Sequence, residues 1–313
     1  MTRSAPSDSS FAQPEVPPHD GAGSISACLV VRNEGALIER CLQSLAGVVD
    51  EIVLVHDGAC EDNTLEIAER YDCRIFVRPL IGHSEASTVY AFEQAVGEWI
   101  LSLDADEFLS APLRASLRDL VLDDQVNGYE LLWRMWDGER YITEEGPYKL
   151  ALYRRAHVHV LGVLHNPEWV DAPVERLALQ LEHRPAYNNF AMRTVLTKWR
   201  RWAKIHAREL ITPFSQLPKF NWSGPEDWSA RRKWLNRLSP LLVVLYVPAV
   251  LSLNVWRERK FVPIGRNLRM ASYQAIYAAM VQFYVAKYLY IERGASSRAA
   301  RAAAHEAPRP GSD

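Results

Sequence analysis

The chain has 313 residues, 48% of them hydrophobic, which is room for one large domain with a buried core plus an appendage. Its net charge of -2 hides an asymmetry: residues 190–293 carry 18 Lys/Arg against 5 Asp/Glu, a local +13, and the remainder carries -15. A basic segment seeks anionic partners, but its charges alternate with long uncharged apolar runs that nucleic acid would not bury, which points to anionic lipid and away from nucleic acid.

Residues 1–23 are rich in Ser, Pro, Asp and Gly and lack an apolar stretch, so they read as a disordered tail and not a signal peptide. Ile25–Val31 is an almost wholly apolar run, as expected of a strand buried on both faces. Leu37–Leu45 reads as a helix with Leu37, Ile38, Cys41, Leu42 and Leu45 on one side. Glu51–Val55 is a second strand. Asn63 as N-cap, with Glu66 three residues on, predicts a helix over 64–71. A strand over 74–77, a helix over 85–96 and a strand over 99–103 follow, and this alternation implies an α/β, doubly wound, mostly parallel sheet. After Asp106 the alternation stops, with strands expected over 128–136, 149–155 and 177–182 and extended or loop chain over 160–169. Cys28, Cys41, Cys60 and Cys73 show no zinc-ligand spacing and read as reduced and structural, consistent with a cytosolic domain over 24–189.

In a doubly wound sheet, ligands sit at the carboxyl ends of the strands. The residues placed there are Arg32-Asn33-Glu34, His56-Asp57-Gly58, Arg78 and Asp104-Ala105-Asp106. Alternate residues of an extended chain point the same way, so Asp104 and Asp106 project together. Paired carboxylates suit Mg²⁺ or Mn²⁺, which also binds diphosphate oxygens; the bland reading is a solvated acidic turn. Asp57 either accepts hydrogen bonds from a ligand or forms an Asp-Gly turn. Arg32 and Glu34 either contact a ligand or form a surface ion pair.

Four motifs occur together: Val-Val-Arg-Asn-Glu (30–34), Glu-Ile-Val-Leu-Val-His-Asp-Gly (51–58), Asp-Asn-Thr-Leu-Glu-Ile-Ala (62–68) and Leu-Asp-Ala-Asp-Glu (103–107). In order and spacing, the run from Ile25 to Leu109 resembles the donor-binding half of inverting family 2 glycosyltransferases with the GT-A fold, including the lipopolysaccharide-core type. The resemblance implies a nucleotide-sugar donor held by Val31, Arg32, Glu34, Asp57, Arg78 and Asp104. It also implies a divalent metal (Mn²⁺ or Mg²⁺) on Asp106. Many such relatives carry Val-His-Glu further on, and the matching stretch here is Val163-Leu164-His165-Asn166-Pro167-Glu168. His165 is then a candidate metal or phosphate ligand, with a loop-capping histidine as the bland reading. Asn166 cannot titrate, so the general base falls to Glu168, Asp137 or Glu145.

Residues 190–293 read as a helical, membrane-associated region, followed by a disordered tail over 294–313. Phe190–Ile211 is a basic amphipathic helix. Leu238–Trp256 has 19 uncharged residues, but Pro240 and Pro248 interrupt it and basic residues flank both ends. That pattern fits a re-entrant hairpin on the cytoplasmic face, or two spans. In Met270–Ala286, Tyr273, Tyr277, Tyr284 and Tyr288 form a stripe expected at a membrane interface, opposite alanines suited to helix contact in lipid. The alternative is a buried helical hairpin in a soluble dimer, so an oligomer stays open. The expected function is glycosyl transfer to a lipid-linked or envelope-glycan acceptor at the cytoplasmic membrane face. Alternatives are a polyprenyl-phosphate sugar synthase, a non-catalytic membrane adaptor and a metal phosphohydrolase.

Overall fold

The computed structural model describes residues 21–186, 195–224, 252, 256 and 264–292. Strands β1 (Ile25–Val31), β2 (Glu51–Asp57), β3 (Arg74–Arg78) and β4 (Trp99–Leu103) pair in parallel, in the order β3-β2-β1-β4. The alternating apolar runs dictate this: β1 and β2 are buried along almost their whole length, so helices must cover both faces. On one face lie α1 (Ile38–Leu45) and α2 (Thr64–Glu69), packed on Leu29, Leu54 and Leu101. On the other lies α3 (Ser84–Gln94), whose Val89 and Phe92 pack on Cys28, Val53, Val55 and Ile100. Helix α1 buries Ile38, Cys41, Leu42 and Leu45, the spacing of one helical face.

The sheet continues past β4 with β7 (Tyr148–Arg154), β6 (Gly128–Leu132), β10 (Val174–His183) and β5 (Glu107–Leu109). β4–β7, β7–β6 and β10–β5 are antiparallel and β6–β10 is parallel. The alternation therefore does not stop at Asp106: β5 and α4 (Ala111–Leu120) follow at once. Ser110 caps α4 by accepting from Leu113 N at 3.4 Å, and Leu113 and Leu117 are its buried stripe. The cap of α2 also differs from expectation. Asn63 makes no capping bond, and the carboxylate of Asp62 accepts instead from Thr64 N at 2.9 Å and from Gly35 N at 2.9 Å.

A small second sheet joins β8 (Val158–Leu161) antiparallel to β9 (Trp169–Val170) and β11 (Lys219–Phe220). The loop between β8 and β9 starts with Gly162, where a Cβ would lie 2.9 Å from the Ala86 backbone. Only glycine lets this loop sit so close on α3.

The basic helix exists as α5 (Arg200–Ile211), preceded by a π-helical turn over Val195–Trp199. It packs on α6 (Ile264–Ala286) and the π-helical turn after it (Lys287–Glu292): Ala203, Ala207 and Leu210 meet Val281, Tyr284 and Val285 of the helix and Tyr288 of the turn. The stripe of tyrosines is thus turned inward at Tyr284 and Tyr288, which are 8% and 6% exposed, because the small residues that admit close contact lie on α5. Among the described residues no helix is long and apolar enough to cross a membrane. Leu238–Trp256 lies outside the described residues except at 252 and 256, as do the tails over 1–20 and 294–313.

Candidate functional site

Each of the first four strands delivers polar groups at its carboxyl end, and the neighbouring turns decide what those groups can do. After β1, Asn33 adopts φ 52°, its N–H donates to His56 Nε2 at 3.3 Å, and Glu34 N donates to Thr64 Oγ1 at 2.7 Å. The buried His56 ring meets the Gly58 carbonyl through Nδ1 at 2.8 Å, so its partners set it as the Nδ1–H tautomer tying the β1 and β2 ends together. Val31 is buried in the core beneath this turn, and Arg32 is half-buried within it.

Asp57 stands at the end of β2 as expected, but its carboxylate is used internally. Oδ1 accepts from Ile81 N and Oδ2 from Gly82 N, both at 2.7 Å, and the residue is 3% exposed. It thereby shapes the loop after β3. Arg78 lies with its guanidinium 4.2 Å from the Tyr90 ring.

Within Asp104-Ala105-Asp106-Glu107 the four residues part company. Asp104 is exposed and lies 3.3 Å from Lys149 Nζ. Glu107 is fully buried and accepts from Trp133 Nε1 at 2.6 Å, from Lys149 at 2.6 and 2.8 Å, and from Asp104 N at 2.9 Å. Burial pushes the Glu107 carboxyl up; for Lys149 burial works downward, but Asp104 and Glu107 outweigh it and raise the ammonium. This pair is the strut that holds Asp104, through Lys149 at its carboxylate and Glu107 at its amide. Asp106 faces His183, with Nε2 3.5 Å from Oδ2. Burial alone would raise Asp106, but the bond and charge of His183 hold it below the usual range. His183 stacks on Trp133 at 4.1 Å between centroids, and its Nδ1 is buried with no hydrogen-bond partner.

Glu34 completes this edge. Burial, and then the charges of Asp106 and Asp104 against Lys198, push its carboxyl up to about 7. Crowded carboxylates of this kind are what a cation relieves. Among the described residues no three His, Cys, Asp or Glu are grouped to hold a metal unaided. A set of Asp106 and His183 nonetheless fits Mg²⁺ or Mn²⁺, which usually take one or two carboxylates and complete their shell with water and substrate phosphates.

A cavity of about 410 Å³ opens on the α3 face, lined by Asp104, Lys149, Glu85, His165 and Glu168 among others. Burial raises the Glu168 carboxyl, with Asp104 and Glu85 adding to the shift. His165, at φ 60°, does not join Asp106. Its ring meets Trp202, His206 and Tyr277, and burial lowers its pKa. Asp137 instead holds its own turn, accepting from Glu139 N and Arg140 N at 3.0 Å, and neither it nor the exposed Glu145 lines the cavity.

The cavity wall is clamped by a group that local sequence patterns do not reveal. His83, its side chain 1% exposed, bridges Glu85 Oε2 at 3.0 Å and Glu209 Oε1 at 2.8 Å. The other oxygens of these carboxylates accept from His165 N at 2.8 Å and Leu164 N at 3.0 Å. Burial works against the imidazolium, but Glu209 and Glu85 outweigh it and raise His83 to about 9. Through Glu209, helix α5 thus holds the loop that carries His165 and Glu168.

Residues missed in the sequence are therefore His183, Lys149, His83 and Glu209. Lys149 alone left a signal, as a charge directly before the apolar run 150–153 of β7.

Residues 26–129 match the family model for Glycosyl transferase family 2. An uncharacterized glycosyltransferase of Rickettsia felis is 38% identical over 105 residues, 34% of this chain and 36% of that protein. The lipopolysaccharide core biosynthesis glycosyltransferase LpsC of Rhizobium meliloti is 30% identical over 116 residues, 35% of this chain and 42% of its own. The chain thus spans little more than a third of the length of the first of these relatives. The crystal structure of S. aureus TarS 1-349 in complex with UDP aligns over 85% of this chain and 91% of that one, at 15% identity and a TM-score of 0.40.

Proposed function

We propose that this chain, whose residues 26–129 match the model for Glycosyl transferase family 2, transfers a sugar from a nucleoside-diphosphate sugar to an acceptor hydroxyl, with inversion at the anomeric carbon. The observation that carries this reading is the convergence of Asp104, Lys149 and Glu168 on one cavity at the carboxyl edge of the parallel strands. Glu168 takes the proton from the acceptor hydroxyl as it attacks. Its raised pKa makes it a stronger base than an ordinary carboxylate, which suits that task. Lys149 and the Glu107 strut keep Asp104 in place at the cavity rim. His83, through Glu85 and Glu209, fixes the loop bearing Glu168, so donor and acceptor meet in line. Asp106 and His183 would hold a divalent cation, which when bound supplies charge stabilisation for the departing nucleoside diphosphate.

The acceptor in this reading is lipid-linked or an envelope glycan, and transfer takes place at the cytoplasmic membrane face. The basic charge of residues 190–293 supports it, as do the exposed Phe283 and Tyr290 of the C-terminal helical segment, 60% and 51% exposed. The test is a thermal-shift panel of UDP, GDP, CDP and ADP with and without Mn²⁺, followed by transfer assays with the matching nucleotide sugars. Metal-dependent stabilisation by one base class is expected, together with loss of transfer in a folded Asp106→Ala variant. No stabilisation by any of the four would refute the donor assignment.

A further inference from the structure

Three arginines meet beside the β5–β10 pair, and none of them lines the cavity. Arg40 of α1 lies 4.2 Å from the Phe108 ring, and Arg184, directly after β10, lies 5.5 Å from the same ring. Arg134 lies 4.2 Å from the Tyr141 ring and Arg184 5.6 Å from it. Arg184 therefore stands between the other two, and aromatic stacking orients all three guanidinium groups.

Their counter-charges are few. Glu182 lies 3.3 Å from Arg184 and also accepts from the Tyr141 hydroxyl. Asp106 faces His183 and acts on Arg40 only through space. Arg40 donates to the Arg184 carbonyl at 3.4 Å, and the buried Nε of Arg134 has no hydrogen-bond partner. Among the described residues neither Arg40 nor Arg134 forms an ion pair. Holding three half-buried guanidinium groups together with Glu182 as the one carboxylate paired among them is unfavourable, and a bound anion reverses that balance by accepting from their forked donors.

We propose that Arg40, Arg134 and Arg184 form an anion site for a phosphate or carboxylate group carried by the acceptor. Two of the three arginines lie beyond residue 129, outside the segment that matches the family model. Arg184 N donates to the Asp106 carbonyl at 2.9 Å, which sets the site beside the edge where the donor diphosphate would lie. The assignment to the acceptor rests on the glycosyl-transfer reading; the anion site itself does not.

The experiment is thermal unfolding of the full chain with inorganic phosphate, against sodium chloride at equal ionic strength, in three arms. The first contains EDTA. The second is saturated with the stabilising nucleoside diphosphate and Mg²⁺. The third repeats both with Arg40→Met and Arg134→Met, which keep the apolar stem. The expected result is a rise of about 2 °C or more with phosphate in the first two arms, lost in both variants while nucleoside diphosphate binding is kept. Absence of a phosphate effect in the wild type, or its persistence in the variants, overturns the site. A phosphate effect that disappears once the nucleoside diphosphate is bound overturns the acceptor assignment and gives the arginines to the donor. If no nucleoside diphosphate binds, the donor reading fails while the EDTA arm still decides the anion site.

Discussion

Replacing His83 by glutamine tests how the C-terminal helices serve the cavity. The imidazole is 1% exposed and held between Glu85 and Glu209 at 3.0 and 2.8 Å. Its pKa rises from an unfolded value near 6.5 to about 9 in the folded protein, so the charged form contributes roughly 3 kcal/mol. Breaking a buried pair by removing one partner costs about 3–5 kcal/mol, which agrees. Because the folded pKa is the higher one, this stabilisation is complete below about pH 6.5 and is lost as pH rises through about 9. Denaturant or thermal unfolding of wild type and His83→Gln across this range is the assay. At pH 6 the variant is expected to melt roughly 6–12 °C lower, on the usual scaling for a domain of this size, with the gap closing steeply toward about pH 9.5. A gap of constant size across that range would refute the assignment of a charged His83 clamp.

Further outcomes follow from the same geometry. Glu168→Gln should lower kcat by about 10²–10⁴-fold while leaving nucleoside-diphosphate affinity unchanged, measured by steady-state kinetics and titration calorimetry. In the wild type, kcat should rise with pH through the elevated Glu168 pKa, since the base must be ionised; a flat profile in that limb counts against it. His183→Gln should remove the metal dependence of nucleoside-diphosphate binding, whereas His165→Gln should leave it intact, read by calorimetry with and without Mn²⁺. Lys149→Met leaves Glu107 buried and uncompensated and should cost about 3–5 kcal/mol in unfolding experiments. Gly82→Ala places a side chain at φ 91° and 3.3 Å from Ile205, so it should destabilise the α5 contact by about 1–3 kcal/mol and increase proteolysis there.

The sequence by itself determined the parallel half of the sheet and the place of Asp104 and Asp106. Strands buried on both faces must be written as apolar runs, and those runs end where polar ligand-facing residues begin. Helix α4 was also legible, from Ser110, Pro112 and the Leu113–Leu117 stripe, although the expectation stopped at Asp106. What the carboxyl-end residues do was decided only by the tertiary structure. Asp57 is engaged by amides 24 and 25 residues away, and Asp106 meets a histidine from β10 rather than His165. Glu209 reaches His83 across 126 positions. Such pairings leave no local period, because they depend on how β10 and α5 fold back onto the sheet. Asp104 and Asp106 themselves end as two different residues. One sits exposed at the cavity rim beside Lys149, and the other is half-buried against His183, while Glu107 next to them is buried on Lys149 and Trp133.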